Sequence, residues 1–435
     1  MTHELVIEGN VFYNQTFTPC CIGIDEGRIT AVKKILKGHK TMRFSKQMIL
    51  PAGIDVHVHF REPGMSQKET FETGSLAALH GGISCIVDMP NTQPPTTTAD
   101  RLHKKIHHAK KQSYVDFGFY VAITNENHTQ LTSMQPYCSG YKIFLGETTG
   151  SCLCSPSLLF TIFSTLKHSK KPILFHAEDA QCLKHHVRNE KSLSDHHAAR
   201  PPLCEIQAIQ SILSASESST PPIHICHVSS KEALMVLSNR PSHVSCGVTP
   251  HHLLLSLDDV SHPSTWYKVN PPLRPSDHVE ALLQGLHHGT FDLIESDHAP
   301  HTLSEKDQPF DRAPSGIAGV ETMLPLFLYL ATKQKCSMQQ IIRLLCHRPA
   351  QLIRVNKGSI VVGNDADIIV VDQRNVQRIS VDHLHSKAEW TPFLDWHALF
   401  PSHVFIRGQH AIDTYELSYP KDTGKYVENQ RYQND

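Results

Sequence analysis

The sequence has no apolar stretch long enough to cross a bilayer, and no basic segment followed by an apolar run at its start. Neither a membrane span nor a secretory signal peptide is therefore predicted. Excess charge is also missing, because 41 Lys and Arg residues stand against 42 Asp and Glu residues. This balance gives no reason to expect a nucleic acid or an acidic membrane surface as a partner.

The twelve cysteines include no Cys-x-x-Cys pair. In a chain of 435 residues this scatter is typical of reduced thiols in a cytosolic protein, not of a disulfide framework. We therefore expect free cysteines and a cytoplasmic location. Histidine, by contrast, is abundant, with 32 residues. Many of these form doublets that we interpret as solvated helix or loop surface: His107–His108, His185–His186, His196–His197 and His287–His288.

The chain divides into three parts by pattern. Residues 1–50 contain short β-like runs and no helix of useful length, and β-like runs return from residue 356. Between them, β-like and helical stretches alternate over residues 51–355. We predict a catalytic barrel over 51–355 and a small β-sandwich domain built from both chain ends, 1–50 and 356–435.

Eight strand candidates occur in the central part, most of them followed by an amphipathic helical stretch. This rhythm predicts an α/β fold with a closed (β/α)8 barrel of the TIM type. The pattern Ser66-x-x-Glu69 predicts a capping box for the first helix, and the polar segment 299–318 predicts a loop over the barrel mouth. The strand candidates are 54–60, 83–89, 115–121, 140–145, 173–178, 223–229, 243–249 and 292–298.

The first barrel strand carries a row of polar side chains. Side chains alternate along a strand, so Asp55, His57, His59 and Arg61 share the face opposite an apolar set that can pack against helices. Two imidazoles two residues apart can bind one metal ion. A His-x-His pair considered by itself is as readily explained by hydrogen-bonded core histidines. Four inward polar residues are hard to explain by packing, which favours a metal site.

Four further ionisable residues lie on other strands, mostly toward their carboxyl ends, where active sites of these barrels lie. Each has an ordinary explanation on its own, as a lysine at an edge, a core histidine or a helix cap. Their joint placement on strands four, five, six and eight is the specific signal. The residues are Lys142, His176, His227 and Asp297.

A series of ordered motifs makes the chain similar, over nearly its whole length, to the amidohydrolase superfamily and most closely to dihydroorotases. The matching motifs are DVHVHFREPG (55–64), DMPNTQPP (88–95), YKIFLGETTG (141–150), FHAED (175–179), HICHV (224–228), VTPHHL (248–253), NPPLR (270–274), SDHAPH (296–301), ETMLPL (321–326) and SKAEWTPF (386–393).

The resemblance implies a metal-dependent cyclic amidohydrolase that interconverts N-carbamoyl-L-aspartate and L-dihydroorotate, the third step of de novo pyrimidine biosynthesis. It also implies that two ions share a hydroxide and that Asp297 shuttles a proton. Zinc suits this ligand chemistry. The implied ligands are His57, His59 and Asp297 for one ion, His176 and His227 for the other, and a carboxylated Lys142 as the bridge.

The resemblance assigns substrate contacts to Arg61, Asn91, Asn270 and His301, and places Thr148 on a loop that closes over the ligand. Arg61, Asn91 and His301 match positions that hold the free carboxylate of the substrate. An arginine fork gives a geometrically defined carboxylate contact, which fits this assignment.

Two alternative functions stay open. Hydantoinases, dihydropyrimidinases and allantoinases share the metal ligands, but the ones we can compare lack an arginine at the position of Arg61. The second alternative is an inactive scaffold for aspartate transcarbamoylase, although such chains typically lose metal ligands and this one retains all six positions. We expect a homodimer that acts on a small molecule, or a chain that associates with aspartate transcarbamoylase.

Overall fold

The protein was analysed as a computed structural model, which describes residues 2–146, 152–217, 220–258 and 260–427. The chain begins with four strands in one sheet. Their buried apolar side chains, such as Ile7 and Ile22, form a separate core with residues from the other end of the chain. The strands are β1 (Thr2–Tyr13), β2 (Thr16–Asp25), β3 (Arg28–Lys33) and β4 (Lys37–Pro51).

Eight parallel strands follow, hydrogen-bonded to one another in sequence order. Strands such as Ile83–Asp88 are buried at every residue, which explains why they read as nearly continuous apolar runs. All eight fall within or across the segments expected from the sequence. They are β5 (Gly53–Val58), β6 (Ile83–Asp88), β7 (Asp116–Ile123), β8 (Gly140–Phe144), β9 (Ile173–His176), β10 (Ile223–Ile225), β11 (Val244–Val248) and β12 (Leu293–Ile294).

The ring closes between β5 and the segment that follows β12. Val58 forms a parallel bridge with His298, and the His59 backbone N–H donates to the His298 carbonyl oxygen at 2.7 Å. The expected barrel of the TIM type is therefore confirmed. Its closing contact also brings the carboxyl ends of the first and last strands side by side.

Thirteen α-helices lie in the described parts of the chain, and none of them is long and apolar enough to cross a membrane. They are α1 (Phe71–His80), α2 (Ala99–Ala109), α3 (Leu159–Leu166), α4 (Ala180–His185), α5 (Leu193–Ala199), α6 (Pro202–Ala215), α7 (Lys231–Leu237), α8 (Pro250–Leu254), α9 (Ser276–His287), α10 (Leu303–Lys306), α11 (Val320–Thr332), α12 (Met338–Ile342) and α13 (Arg348–Ile353). Four short 3-10 helices and one π-helix add to them: Leu131–Ser133, Pro156–Leu158, Ser264–Tyr267, Val381–His383 and, as the π-helix, Arg343–His347.

The capping box expected at Ser66 and Glu69 is wrong. Helix α1 begins later, and its box is formed by Thr70 and Thr73. Glu69 instead lies fully buried and accepts a hydrogen bond from the Ser386 hydroxyl at 2.5 Å. The segment 299–318 is also not wholly a loop, because it contains α10.

The C-terminal strands complete the small sheet. Strand β13 pairs antiparallel with β4, so both chain ends build one eight-stranded sheet in the order β18-β17-β16-β13-β4-β1-β2-β3. Strands β14 and β15 form a separate two-stranded sheet. The bounds are β13 (Ile368–Val371), β14 (Gln377–Arg378), β15 (His397–Ala398), β16 (His403–Ile406), β17 (Gln409–Asp413) and β18 (Glu416–Leu417).

A buried lysine ties this sheet to the barrel. Lys357 Nζ lies 2.7 Å from Asp116 of β7, 2.9 Å from Asp365 and 2.7 Å from Asp367, next to β13. Burial disfavours the ammonium, but the three carboxylates overcome it and hold the Lys357 pKa well above its usual range. The cluster is therefore an ionic contact shared by the two parts of the fold.

Two sequence expectations fail outside the barrel interior. The expectation of free thiols throughout is wrong for Cys182 and Cys204, which form a disulfide because α4 and α6 bring their Cα atoms to 5.2 Å. The surface interpretation of the histidine doublets is wrong for His196. This residue is buried, with Nδ1 2.7 Å from Glu190 and Nε2 3.0 Å from the Val269 carbonyl oxygen.

Candidate active site

One cavity opens at the carboxyl ends of the barrel strands, where the expected site residues converge. Its wall also includes Phe144, Val269, Ala299, Ser315 and Gly316. The predicted residues that line it are His57, His59, Arg61, Asn91, Lys142, His176, His227, Asn270 and Asp297.

A carboxylate and two imidazoles meet at the junction of the first and last strands. Asp297 Oδ1 lies 3.2 Å from His57 Nε2 and 3.1 Å from His59 Nε2. Burial opposes ionisation of Asp297, but the two histidines outweigh it and hold the pKa of this carboxyl well below its usual range. Burial also lowers the pKa of His59 to about 3.

A second pair of imidazoles lies at the end of β9 and just after β10. His176 Nδ1 lies 3.1 Å from His227 Nε2. Burial lowers the pKa of both residues, well below the usual range for His227, so both rings are neutral at neutral pH. Neutral imidazoles have the lone pair that a metal ion requires.

Lys142 lies between the two groups and is fully buried. Its Nζ donates to Cys226 Sγ at 3.2 Å and lies 5.1 Å from the centre of the Phe144 ring. Within the described part of the chain, no carboxylate forms an ion pair with it. An unpaired buried ammonium is costly, which makes Lys142 a candidate for chemical modification.

This donor set fits metal ions. Imidazole nitrogens and a carboxylate oxygen are preferred ligands of zinc and related cations. Two ligand atoms bound tetrahedrally at the zinc–nitrogen distance of 2.0–2.1 Å lie about 3.3 Å apart. The separations of 3.1 to 3.2 Å found here match that spacing. The ligand atoms of His57, His227 and Asp297 all lie within 4.8 Å of one another.

Sequence reasoning missed the carboxylates that orient these histidines. Glu295 Oε2 lies 3.1 Å from His57 Nδ1, and its Oε1 accepts from the His227 backbone N–H at 2.6 Å. Glu178 Oε2 lies 2.9 Å from His176 Nε2 and 2.5 Å from Arg200. Such outer partners fix the ring orientation of metal ligands. Each lies two residues from an expected ligand, and the strand alternation could have identified both.

Arg61 presents a buried cation to the cavity. Its Nε donates to the Pro300 carbonyl oxygen at 3.1 Å, and one terminal nitrogen lies 3.3 Å from His301 Nε2. Burial lowers the Arg61 pKa to about 10, so the guanidinium is charged at neutral pH. His301 lies beside Arg61 and is not among the residues of the cavity wall. Burial lowers the His301 pKa to about 3.

The amide residues have different surroundings. Asn91 Oδ1 lies 2.7 Å from His59 Nδ1, so this side chain contacts an expected metal ligand. Asn270 Oδ1 is buried and has no hydrogen-bond partner within the described residues, which leaves an acceptor for a ligand N–H. Thr148 lies outside the described residues. Gly316 lies close beside His301, and a Cβ here would collide with the Ala299 carbonyl oxygen.

Three site residues have left-handed backbone conformations. The φ angles are 64° at Arg61, 39° at His227 and 46° at Asp297. A non-glycine residue in this region costs on the order of 1–3 kcal/mol and persists where the surroundings enforce it. The strain coincides with the strand ends that carry the candidate site.

The family model described as the amidohydrolase family matches residues 48–410. A dihydroorotase of Methanosarcina acetivorans is 39% identical over 419 residues, covering 92% of this chain and 90% of that protein. A dihydroorotase of Thermoplasma acidophilum is 37% identical over 416 residues, with 96% of each chain covered.

Among solved structures, an L-hydantoinase of Arthrobacter aurescens superposes with a TM-score of 0.94 at 24% sequence identity. The match covers 98% of this chain and all of the hydantoinase. At this level of identity, the likeness concerns the fold. It places the barrel and the added small sheet in one known architecture.

Proposed function

This chain belongs to the amidohydrolase family, and we propose that it acts as a dihydroorotase. It interconverts N-carbamoyl-L-aspartate and L-dihydroorotate, the third step of de novo pyrimidine biosynthesis. The observation that carries the proposal is Arg61, a buried guanidinium on the wall of the same cavity as the metal-ligand group. Dihydroorotate carries a carboxylate on its ring, and a cation beside the reacting centre matches this feature. The archaeal relatives named dihydroorotase support it.

The metal site is proposed to hold two zinc ions. His57, His59 and Asp297 would bind one ion, and His176 and His227 the other. A carboxylated Lys142 would bridge them, since a carbamate replaces an unpaired ammonium by two anionic oxygens. When bound, such ions lower the pKa of water and polarise an amide carbonyl.

Proton transfer and substrate binding would be performed by different side chains. Asp297 accepts a proton in the hydrolytic direction and delivers it to the departing ring nitrogen, and the reverse reaction uses the same group. Arg61 orients the ring carboxylate, with His301 fixing the guanidinium beside it. Asn270 Oδ1 is a free acceptor for a ring N–H. Asn91 supports His59 as well as bordering the substrate, and Thr148 is retained as a proposed substrate contact.

The direct test is substrate choice. The zinc-loaded protein should turn over dihydroorotate efficiently, and hydantoin and allantoin poorly, in one assay series. Turnover of hydantoin or allantoin without dihydroorotate would instead indicate a hydantoinase or an allantoinase. A protein that binds no metal and turns over none of the three substrates after zinc and bicarbonate are supplied would be an inactive scaffold.

Assembly and location complete the proposal. We expect a homodimer, and association with aspartate transcarbamoylase is the alternative. Size-exclusion chromatography coupled to light scattering, with and without added aspartate transcarbamoylase, distinguishes the two. A cytoplasmic location stays a prediction that fractionation of cells can test.

A further inference from the structure

A second cluster of metal-binding side chains lies far along the chain from the barrel residues, on the hairpin of β16 and β17. His403 Nδ1 lies 3.2 Å from His410 Nε2 and 3.3 Å from Asp413 Oδ1. The ligand atoms of all three residues lie within 4.8 Å of one another. The cluster borders solvent, since the Asp413 side chain is 55% exposed while the two histidines are 13% and 15% exposed.

A β-bulge creates this arrangement. His403 pairs with Asp413, but the register shifts between Val404 and Phe405, so Phe405 pairs with His410. Residues 403, 405 and their cross-strand partners then share one face of the hairpin. Without this register shift, the alternation of side chains along β17 would place His410 and Asp413 on opposite faces. The bulge therefore adds the second imidazole to the pair His403 and Asp413.

Hydrogen bonding alone leaves one unfavourable contact in the cluster. The Thr414 backbone N–H points at His403 Nδ1 at 3.4 Å, as expected for an unprotonated nitrogen. That nitrogen then faces Asp413 Oδ1, which is also an acceptor and already accepts from the Thr414 hydroxyl at 3.0 Å. A proton on His403 Nδ1 would instead oppose the Thr414 N–H. A cation bound to both His403 Nδ1 and Asp413 Oδ1 would turn this contact between two acceptors into a favourable one.

We propose that His403, His410 and Asp413 form a zinc-binding site separate from the active site. The separations of 3.2 and 3.3 Å match the spacing of about 3.3 Å between tetrahedral zinc ligands. Two imidazoles and one carboxylate form a common zinc ligand set, and the exposed side of the cluster admits water as a fourth ligand. The ion would link β16 to β17 and so hold together the end of the small sheet.

Ring surroundings support the assignment. His410 stacks on Phe405 with ring centroids 4.5 Å apart, and His403 packs 4.9 Å from Phe44. These contacts hold both rings in place before a metal ion arrives.

The test counts zinc in the whole protein. Equilibrium dialysis against zinc should give one more equivalent per chain for the wild type than for the double variant His410→Gln/Asp413→Asn. The matched control is His287→Gln/Asp395→Asn, which changes an exposed histidine and an exposed aspartate elsewhere and should retain the equivalent. Turnover of dihydroorotate should be equal in all three proteins, which also reports that the variants fold.

Two further measurements locate the ion. Anomalous scattering at the zinc edge should show a peak among His403, His410 and Asp413. The single variant Asp413→Asn should bind the additional ion at least about tenfold more weakly, since even outer partners of metal ligands contribute 10–100-fold. Equal zinc counts in the wild type and the double variant, or the absence of an anomalous peak among His403, His410 and Asp413, would overturn the proposal. These readouts do not depend on which cyclic amide the barrel hydrolyses.

Discussion

Lys142 is the residue whose surroundings are hardest to explain by a purely structural role. It is a fully buried lysine that contacts a thiol and an aromatic ring, with no carboxylate ion pair in the described chain. The buried Lys357, by contrast, is matched by carboxylates. A carbamate on Lys142 would replace the unpaired positive charge by a negative group among cations.

The first prediction is that Lys142→Ala abolishes turnover, because the proposed bridge between two ions would be lost. Short carboxylic acids such as acetate should restore part of the activity by occupying the space of the carbamate. The assay is dihydroorotate turnover with and without added acid. Lys171→Ala, which removes a buried lysine outside the cavity wall, should retain turnover without acid. Full activity of Lys142→Ala would contradict the bridging role.

Arg61 separates substrate recognition from metal binding. Arg61→Met removes a charge-assisted contact worth about 1.5–3 kcal/mol, which corresponds to roughly a 10- to 100-fold rise in KM. The bound metal, measured by elemental analysis, should stay at the wild-type level. Loss of metal with unchanged KM would mean that Arg61 supports the ligands and not the substrate.

A substitution of Glu295 tests whether the carboxylates beside the histidines, which sequence reasoning missed, contribute to metal binding. Glu295→Gln keeps the shape of the side chain but removes the charge beside His57 Nδ1. Changes of this kind typically weaken metal affinity 10–100-fold, which competition with a chelator can measure. Glu280→Gln on the surface of α9 is the control and should bind zinc like the wild type. Equal affinity in both variants would show that Glu295 has only a packing role.

At the residue scale, strand alternation was enough to bring several expected ligands to one face, but it does not reveal contacts made between loops. His57, His59 and Asp297 follow from their positions on strand faces. That Asn91 contacts His59 does not, because this contact depends on how two loops meet above the barrel. The surface prediction for His196 was wrong for the same reason, since its partners Glu190 and Val269 lie on other segments.

At the scale of single elements, packing decided what local signals left ambiguous. Ser66 and Thr70 are both suitable N-caps for the first helix. The helix starts at Phe71, whose buried ring packs against Phe60 and Phe119 with centroids 6.1 and 5.6 Å away. This anchoring fixes the first turn and selects Thr70. The strands were easier, because uninterrupted apolar runs have one explanation in a parallel barrel.

Thr70→Ala should therefore destabilise the protein by about 1 kcal/mol, the usual loss for an N-cap residue. Ser66→Ala is the matched control and should change the free energy of unfolding by no more than about 0.5 kcal/mol. Urea denaturation of the two variants measures both values. If Ser66→Ala were the more damaging change, the helix would begin where the sequence pattern first suggested.

At the scale of the whole molecule, the two chain ends build one sheet, and an ionic cluster joins the C-terminal part of that sheet to the barrel. Local sequence patterns showed that both ends are β-like. They did not show that β13 pairs with β4. They also did not show that Lys357 forms ion pairs with Asp116 of the barrel and with two aspartates next to the sheet. The Cys182–Cys204 disulfide was missed likewise, because 22 residues separate its cysteines.

Lys357→Met should cost about 3–5 kcal/mol of stability, because it leaves buried carboxylates without a cation. Chemical denaturation of the metal-loaded protein measures this loss. The control is Lys421→Met, which breaks the exposed pair with Glu72 and should cost no more than about 1 kcal/mol. Similar losses in the two variants would show that the cluster contributes little to joining the two parts.

The closure of the barrel between β5 and the segment after β12 also sets an order of events during synthesis. His59 and Asp297 meet only when the first strand contacts the last, so a growing chain has no complete site until Asp297 has left the ribosome. Until then, His57 and His59 are present without Asp297. The candidate site of a nascent chain is therefore completed only when the ring closes, late in synthesis.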